Sequence, residues 1–143
     1  MLEHADINTL LIVLSDHGFN TFRRGFHVNT WLIENGLMTL RDNKRPDEAL
    51  GEGFSAVDWS RTSAYALGLA GVYLNLKGRE GAGIVEEGAE ADRVRRAIVA
   101  GLTGIADAAT GATAINSVSL RDEIYSGAHA AASPDLLVNY APG

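Results

Sequence analysis

A chain of 143 residues, 46% hydrophobic and 21% charged, is long enough for one modest domain with its own core, and it contains no apolar run of about 18 residues that could span a membrane. Its 18 acidic and 12 basic side chains, net charge -6, disfavour nonspecific attraction to a nucleic-acid backbone, which needs clustered Lys and Arg. Cysteine is absent, which excludes disulfides and thiolate metal sites.

The acidic balance is compatible with a phosphorylated substrate, because metal ions in a carboxylate-lined site reverse its local field. Met1-Leu2-Glu3-His4 lacks the basic start of a secretory leader, and Asp6 and Asn8 interrupt what would be its apolar stretch. A cytoplasmic location is therefore expected.

In chain order, Thr9-Leu10-Leu11-Ile12-Val13-Leu14 comes first, a short apolar run with β-branched residues that reads as a strand buried in a parallel sheet. Asn29 offers an N-cap for a short helix through Trp31, Leu32 and Ile33, stopped by Asn35-Gly36. Arg41 to Gly53 is polar and broken by Asn43 and Pro46, a surface excursion. Ser60 could cap a second short helix through Ala64 and Leu67, ending at Gly68. Gly71 to Leu76 alternates as a strand, with Val72, Leu74 and Leu76 on one face and Tyr73 and Asn75 on the other. Lys77 to Gly81 closes it with a polar turn.

From Glu90 to about Asp107, Val94, Ala97, Ile98, Gly101, Leu102 and Ile105 recur at helical spacing. Gly101 and Gly104 weaken that helix, by about 1 kcal/mol each if exposed. Thr110-Gly111 turns the chain into a strand with Asn116, Val118 and Leu120 alternating. Ser133-Pro134-Asp135 starts a last strand over Leu136-Leu137-Val138. The order of elements predicts an α/β layer domain. A strand as apolar as Leu10 to Leu14 needs neighbours on both sides, so part of the sheet is expected to come from other sequence, and an uncovered apolar edge should favour self-association.

Ser15-Asp16-His17-Gly18 is the strongest local feature. Functional groups of open α/β sheets gather beyond the carboxyl ends of strands, and Gly18 lets the chain turn so that the carboxylate and the imidazole converge. Both side chains suit zinc, and such sites also accept manganese or iron. On local grounds alone, an Asp cap beside a surface His at a strand-to-loop junction is the favoured reading of the tetrapeptide.

The other candidates have bland readings. His27, His4 and His129 read as loop or terminal imidazoles. Arg61 and Thr62 could orient phosphate, but a helix start with an exposed Arg accounts for them. Lys77, Arg79 and Glu80 read as a charged network supporting the fold, and Asp58 and Trp59 as residues that tie down an irregular loop. Gly78, Gly81 and Gly83 lack the Lys-Ser or Lys-Thr ending of a phosphate-cradling loop.

Ser15-Asp16-His17-Gly18 after an apolar run is similar to the metal motif of the alkaline phosphatase superfamily, shared by sulfatases and cofactor-independent phosphoglycerate mutases. The residues that follow resemble its type I phosphodiesterase and nucleotide pyrophosphatase branch. They are Arg24-Gly25, Asn29-Thr30-Trp31-Leu32 and Glu34-Asn35-Gly36, then 57–65 (VDWSRTSAY) and 73–80 (YLNLKGRE), and later Tyr125-Ser126-Gly127 and 132–136 (ASPDL). The likeness covers most of the chain, in order.

The resemblance implies a fragment of an alkaline phosphatase-like α/β/α sandwich, with residues 1–143 as a partial domain. It implies hydrolysis of phosphate mono- or diesters or nucleotide pyrophosphate bonds, with a small phosphorylated substrate. Two metal ions are used, zinc foremost, and a Thr or Ser nucleophile forms a phosphorylated intermediate. By resemblance, Asp16 and His17 hold the metal that activates that nucleophile. The family also uses an early carboxylate, the nucleophile itself, another Asp and His, and a late His. None has a counterpart here, so no catalytic residue is assigned and the isolated chain is expected to be inactive. The alternative is a noncatalytic α/β interaction or scaffold domain that keeps a vestigial metal motif.

Overall fold

A computed structural model describes residues 6–48 and 53–142. His4, one of the metal candidates, and residues 49–52 of the expected surface excursion lie outside the described residues.

The architecture is mixed α/β. Helix α1 spans Val28–Glu34; strands β1 (Ala64–Leu67) and β2 (Gly71–Leu74) form a hairpin; helix α2 spans Ala89–Leu102. Strand β3 (Ile115–Leu120) runs straight into a single helical turn, α3 (Arg121–Ile124), and strand β4 (Leu136–Tyr140) follows. The sheet is four-stranded, in the order β1-β2-β4-β3. Every pairing in it is antiparallel, in contrast to the parallel sheet expected from the Thr9–Leu14 run.

That run is not a strand. Residues 9–14 carry no ladder, and their side chains are exposed, from 52% at Leu11 to 87% at Val13. An apolar, β-branched sequence supplies side chains suited to a covered sheet, but a strand exists only where a neighbour accepts its hydrogen bonds. Among the described residues, no strand of the sheet pairs with it.

A second correction falls at residues 60–68. Trp59–Arg61 makes a single 3-10 turn, and Ala64–Leu67 is a strand, not the second turn of a helix. Tyr65 lies opposite Tyr73 in the register, and their rings stack with centroids 5.5 Å apart. Cross-strand aromatic pairing of this kind overrides a weak local helix signal.

The core is built from both kinds of element. Ala91, Val94, Ile98 and Leu102 form the buried face of α2, which packs on β3. Leu32, Leu74, Ile115 and Leu136 are fully enclosed alongside them. Each such side chain contributes about 1.5–3 kcal/mol by leaving water. Helix α2 stops at Leu102, short of the expected Asp107, because Gly104 takes a left-handed φ of 77°. Gly101 has a packing role: a Cβ there would stand 2.4 Å from Cζ2 of Trp31, so the missing side chain lets α1 and α2 approach. A bulge between Ile115 and Ser117 places Ile115 and Val118, three residues apart, both in the core.

Asn29 does not cap α1. His27 holds that position, and the Asn29 amide instead clasps the backbone of Ala66 on edge strand β1. Its Nδ2 donates to the Ala66 carbonyl at 3.0 Å, and its Oδ1 accepts the Ala66 N–H at 2.7 Å. One side chain thus does for the sheet edge what a further strand would do. Asn75, at the end of β2, is buried, with its amide nitrogen shared among the carbonyls of Trp59, Thr62 and Ala82.

Candidate metal centre

Residues 6–25 are exposed throughout and form neither helix nor strand, so Asp16 and His17 stand on an irregular segment outside the core. The local geometry is nonetheless ordered by short-range bonds. The Ser15 hydroxyl donates to the His17 carbonyl at 2.6 Å, and His17 Nδ1 lies 3.0 Å from the Gly18 carbonyl. A proton on Nδ1 satisfies that carbonyl and leaves the lone pair on Nε2. That nitrogen is 3.4 Å from Oδ2 of Asp16, with the two side chains 66% and 87% exposed. The two side chains therefore lie side by side. Phe19 closes against the imidazole edge-on, at 5.7 Å between centroids.

Among the described residues, no group of three or more His, Asp or Glu side chains is placed to hold a metal ion. Asp16 and His17 are two donors of suitable chemistry, and a zinc site takes four ligands in all. Upstream, Asp6 has its carboxyl held below the usual range by the Thr9 hydroxyl and then by the Asn8 N–H, in a turn separate from the motif.

The remaining candidates are dispersed. His27 is exposed at the start of α1 and borders a cavity of about 290 Å³ with Phe26, Leu69 and Tyr140. His129 is exposed ahead of a 3-10 turn over Ala130–Ala132. Arg61 is exposed, whereas Thr62 is buried, its hydroxyl donating to the Asp58 carbonyl at 2.8 Å and accepting the Thr39 N–H at 3.0 Å. Asp58 caps the next turn, its Oδ1 accepting Ser60 N–H at 3.1 Å. Thr62 and Asp58 are thus committed to structure.

Arg79 belongs to a network that sequence reasoning saw only in part. Its guanidinium grips Asp135, Nη2 to Oδ2 at 2.6 Å and Nη1 to Oδ1 at 3.1 Å, while Nε donates to Glu80 at 2.9 Å. Arg121 approaches the same carboxylate at 3.3 Å and Arg95 at 3.7 Å, and the Leu74 N–H donates to it at 2.8 Å. Burial opposes the Arg79 charge, and the bonds to Asp135 and Glu80 outweigh it, raising the guanidinium pKa. The available signal was a carboxylate abutting an apolar strand at Asp135-Leu136, which demands a buried partner. Nearby, the Tyr65 hydroxyl is pushed up to about 12 by burial and then by the Glu80 charge.

The family model described as type I phosphodiesterase / nucleotide pyrophosphatase matches residues 1–143. No curated protein and no solved structure matches the chain.

Proposed function

The chain belongs to the type I phosphodiesterase/nucleotide pyrophosphatase family, and from that premise we propose that it is part of a metal-dependent hydrolase of phosphate mono- or diesters or nucleotide pyrophosphate bonds. Asp16 and His17 are its contribution to the metal site, binding one divalent ion, zinc foremost, with manganese or iron as alternatives. The observation that supports this reading is their geometry within a family member: a carboxylate oxygen and an imidazole nitrogen 3.4 Å apart, both open to solvent.

Asp16 supplies charge and His17 a directed lone pair, its ring orientation set by the Gly18 carbonyl. A bound ion supplies Lewis acidity, lowering the pKa of an attacking hydroxyl and stabilising charge on the phosphoryl oxygens. Two ligands leave such an ion half coordinated by solvent, so the isolated chain binds it weakly and is catalytically silent. The apolar run at residues 9–14 becomes a covered strand when the rest of the domain is present. In the isolated chain it promotes self-association.

The test is zinc titration of the purified chain by calorimetry, with a nitrophenyl phosphodiester and monoester assayed in parallel. Weak binding is expected, abolished in Asp16→Ala and in His17→Ala, with no turnover. Tight stoichiometric binding retained by both variants would overturn the metal assignment. Metal-dependent turnover that survives repurification and vanishes in Asp16→Ala would overturn the inactivity.

A further inference from the structure

We propose that the Arg24–Asp107 ion pair is a latch that fixes where the motif-bearing segment leaves the body, which makes Arg24 and Asp107 positioning residues for Asp16 and His17. The assignment of a positioning role rests on the metal-binding reading above; the latch itself does not.

The body of the fold begins at Phe26, which packs on the core, and at Val28, which is buried. Everything described before Phe26 is exposed. Between the two, Arg24 Nε meets Asp107 Oδ2 at 3.1 Å. Asp107 is built to receive it. The carboxylate is only 17% exposed, and its Oδ1 already accepts the Ala109 N–H at 2.8 Å. Its backbone is pinned on both sides, the N–H donating to Ala112 at 2.7 Å and the carbonyl accepting Gly111 at 2.8 Å. An antiparallel bridge between Ala106 and Thr113 closes the same loop. One oxygen thus serves the turn, and the other is held still and turned to the guanidinium.

The geometric effect follows from chain length. Seven residues separate His17 from Arg24, so with the latch closed the His17 backbone stays within about 25 Å of the Arg24 backbone. From Phe26, where the body begins nine residues away, the same backbone could range over about 32 Å, roughly a twofold larger volume. Arg24 is 58% exposed, so a pair of this kind biases the segment by about two- to fivefold and does not hold the body together. That is suited to presenting two ligands in one direction while the fold itself stands without them.

The absence of cysteine makes the latch measurable. Gly18→Cys has open space for a side chain, and Ala100→Cys lies on the exposed side of α2. Nitroxide labels at these two positions report the distance between motif and body by pulsed dipolar spectroscopy, without any metal. Arg24→Gln and Asp107→Asn should each broaden the distribution and lengthen its mean, with the melting temperature unchanged for Arg24→Gln. High salt should reproduce the broadening, and Arg24→Lys, which keeps a cation for Asp107 and leaves its turn intact, should broaden the distribution less than Arg24→Gln. A distribution unmoved by Arg24→Gln and by salt would overturn the latch. Because no metal is present, that result would leave the metal assignment standing, and loss of the metal assignment would leave the latch standing.

Discussion

The carboxylate of Asp135 and the guanidinium of Arg79 meet through two parallel hydrogen bonds, 2.6 and 3.1 Å long, with Asp135 fully buried at the start of β4. Arg79 Nη2, which makes the shorter of these bonds, also donates to the Leu74 carbonyl at 2.6 Å, so the pair ties the end of β2 to the start of β4. Arg95 of α2 and Arg121 of α3 close around it. Asp135→Ala takes the shared acceptor from partly buried guanidinium groups and from the Leu74 N–H, and should cost about 3 kcal/mol in urea unfolding, the low end for removing one partner of a buried pair. Arg95→Gln should cost about 1 kcal/mol or less, since its contact with Asp135 is 3.7 Å and its other partners, Glu87 and Asp92, are exposed. Equal losses for the two variants would contradict a hub centred on Arg79.

Gly101→Ala inverts the usual expectation for a helix. Propensity alone would stabilise α2 by about 1 kcal/mol. The new methyl would stand 2.4 Å from the Trp31 ring, so the variant should instead lose about 1–3 kcal/mol. Adding Trp31→Leu should recover part of that loss in a double-mutant cycle, and strict additivity of the two changes would refute the contact.

Asn29→Ala removes both bonds to Ala66 and leaves the edge of β1 open. A loss of about 1–3 kcal/mol is expected. Hydrogen exchange at the Ala66 amide should accelerate beyond what the global change explains; unchanged local protection would count against the clasp.

Tyr65 makes the fold sensitive to alkali. Its folded pKa, about 12, lies above the ordinary 10.0, so the folded state keeps the phenolic proton where the unfolded chain releases it. The stability it contributes is complete below pH 10 and is lost as pH rises towards 12. Phenolate absorbance should show a tyrosine titrating near 12 that disappears in Tyr65→Phe, while Tyr140, also raised by burial, still titrates late in that variant. Glu80→Gln should bring it down, because the Glu80 charge and hydrogen bond add to the effect of burial.

Ile12→Lys tests the exposed run. Its side chain is 66% exposed, so the melting temperature should not move, while self-association measured by sedimentation should fall. A large drop in melting temperature would mean that Ile12 is packed after all.

Much of the local structure was legible because its causes are local. Val94, Ile98 and Leu102 set out the buried face of α2 at helical spacing, and the hydrogen bonds of a helix need no distant partner. The β2 alternation of Val72 and Leu74, the polar turn after it and the capping role of Asp58 were likewise written within a few residues. Ser15-Asp16-His17-Gly18 and the stretches after it were enough to indicate the family. What tertiary structure alone decided is nonlocal. Asp135 lies 56 residues from Arg79, and Asn29 lies 37 from Ala66. Neither pairing leaves a periodic trace. Residues 9–14 teach the same lesson in reverse: their composition made them the most strand-like run in the chain, but a strand is defined by the neighbour that accepts its hydrogen bonds, and that neighbour is a property of the assembled sheet.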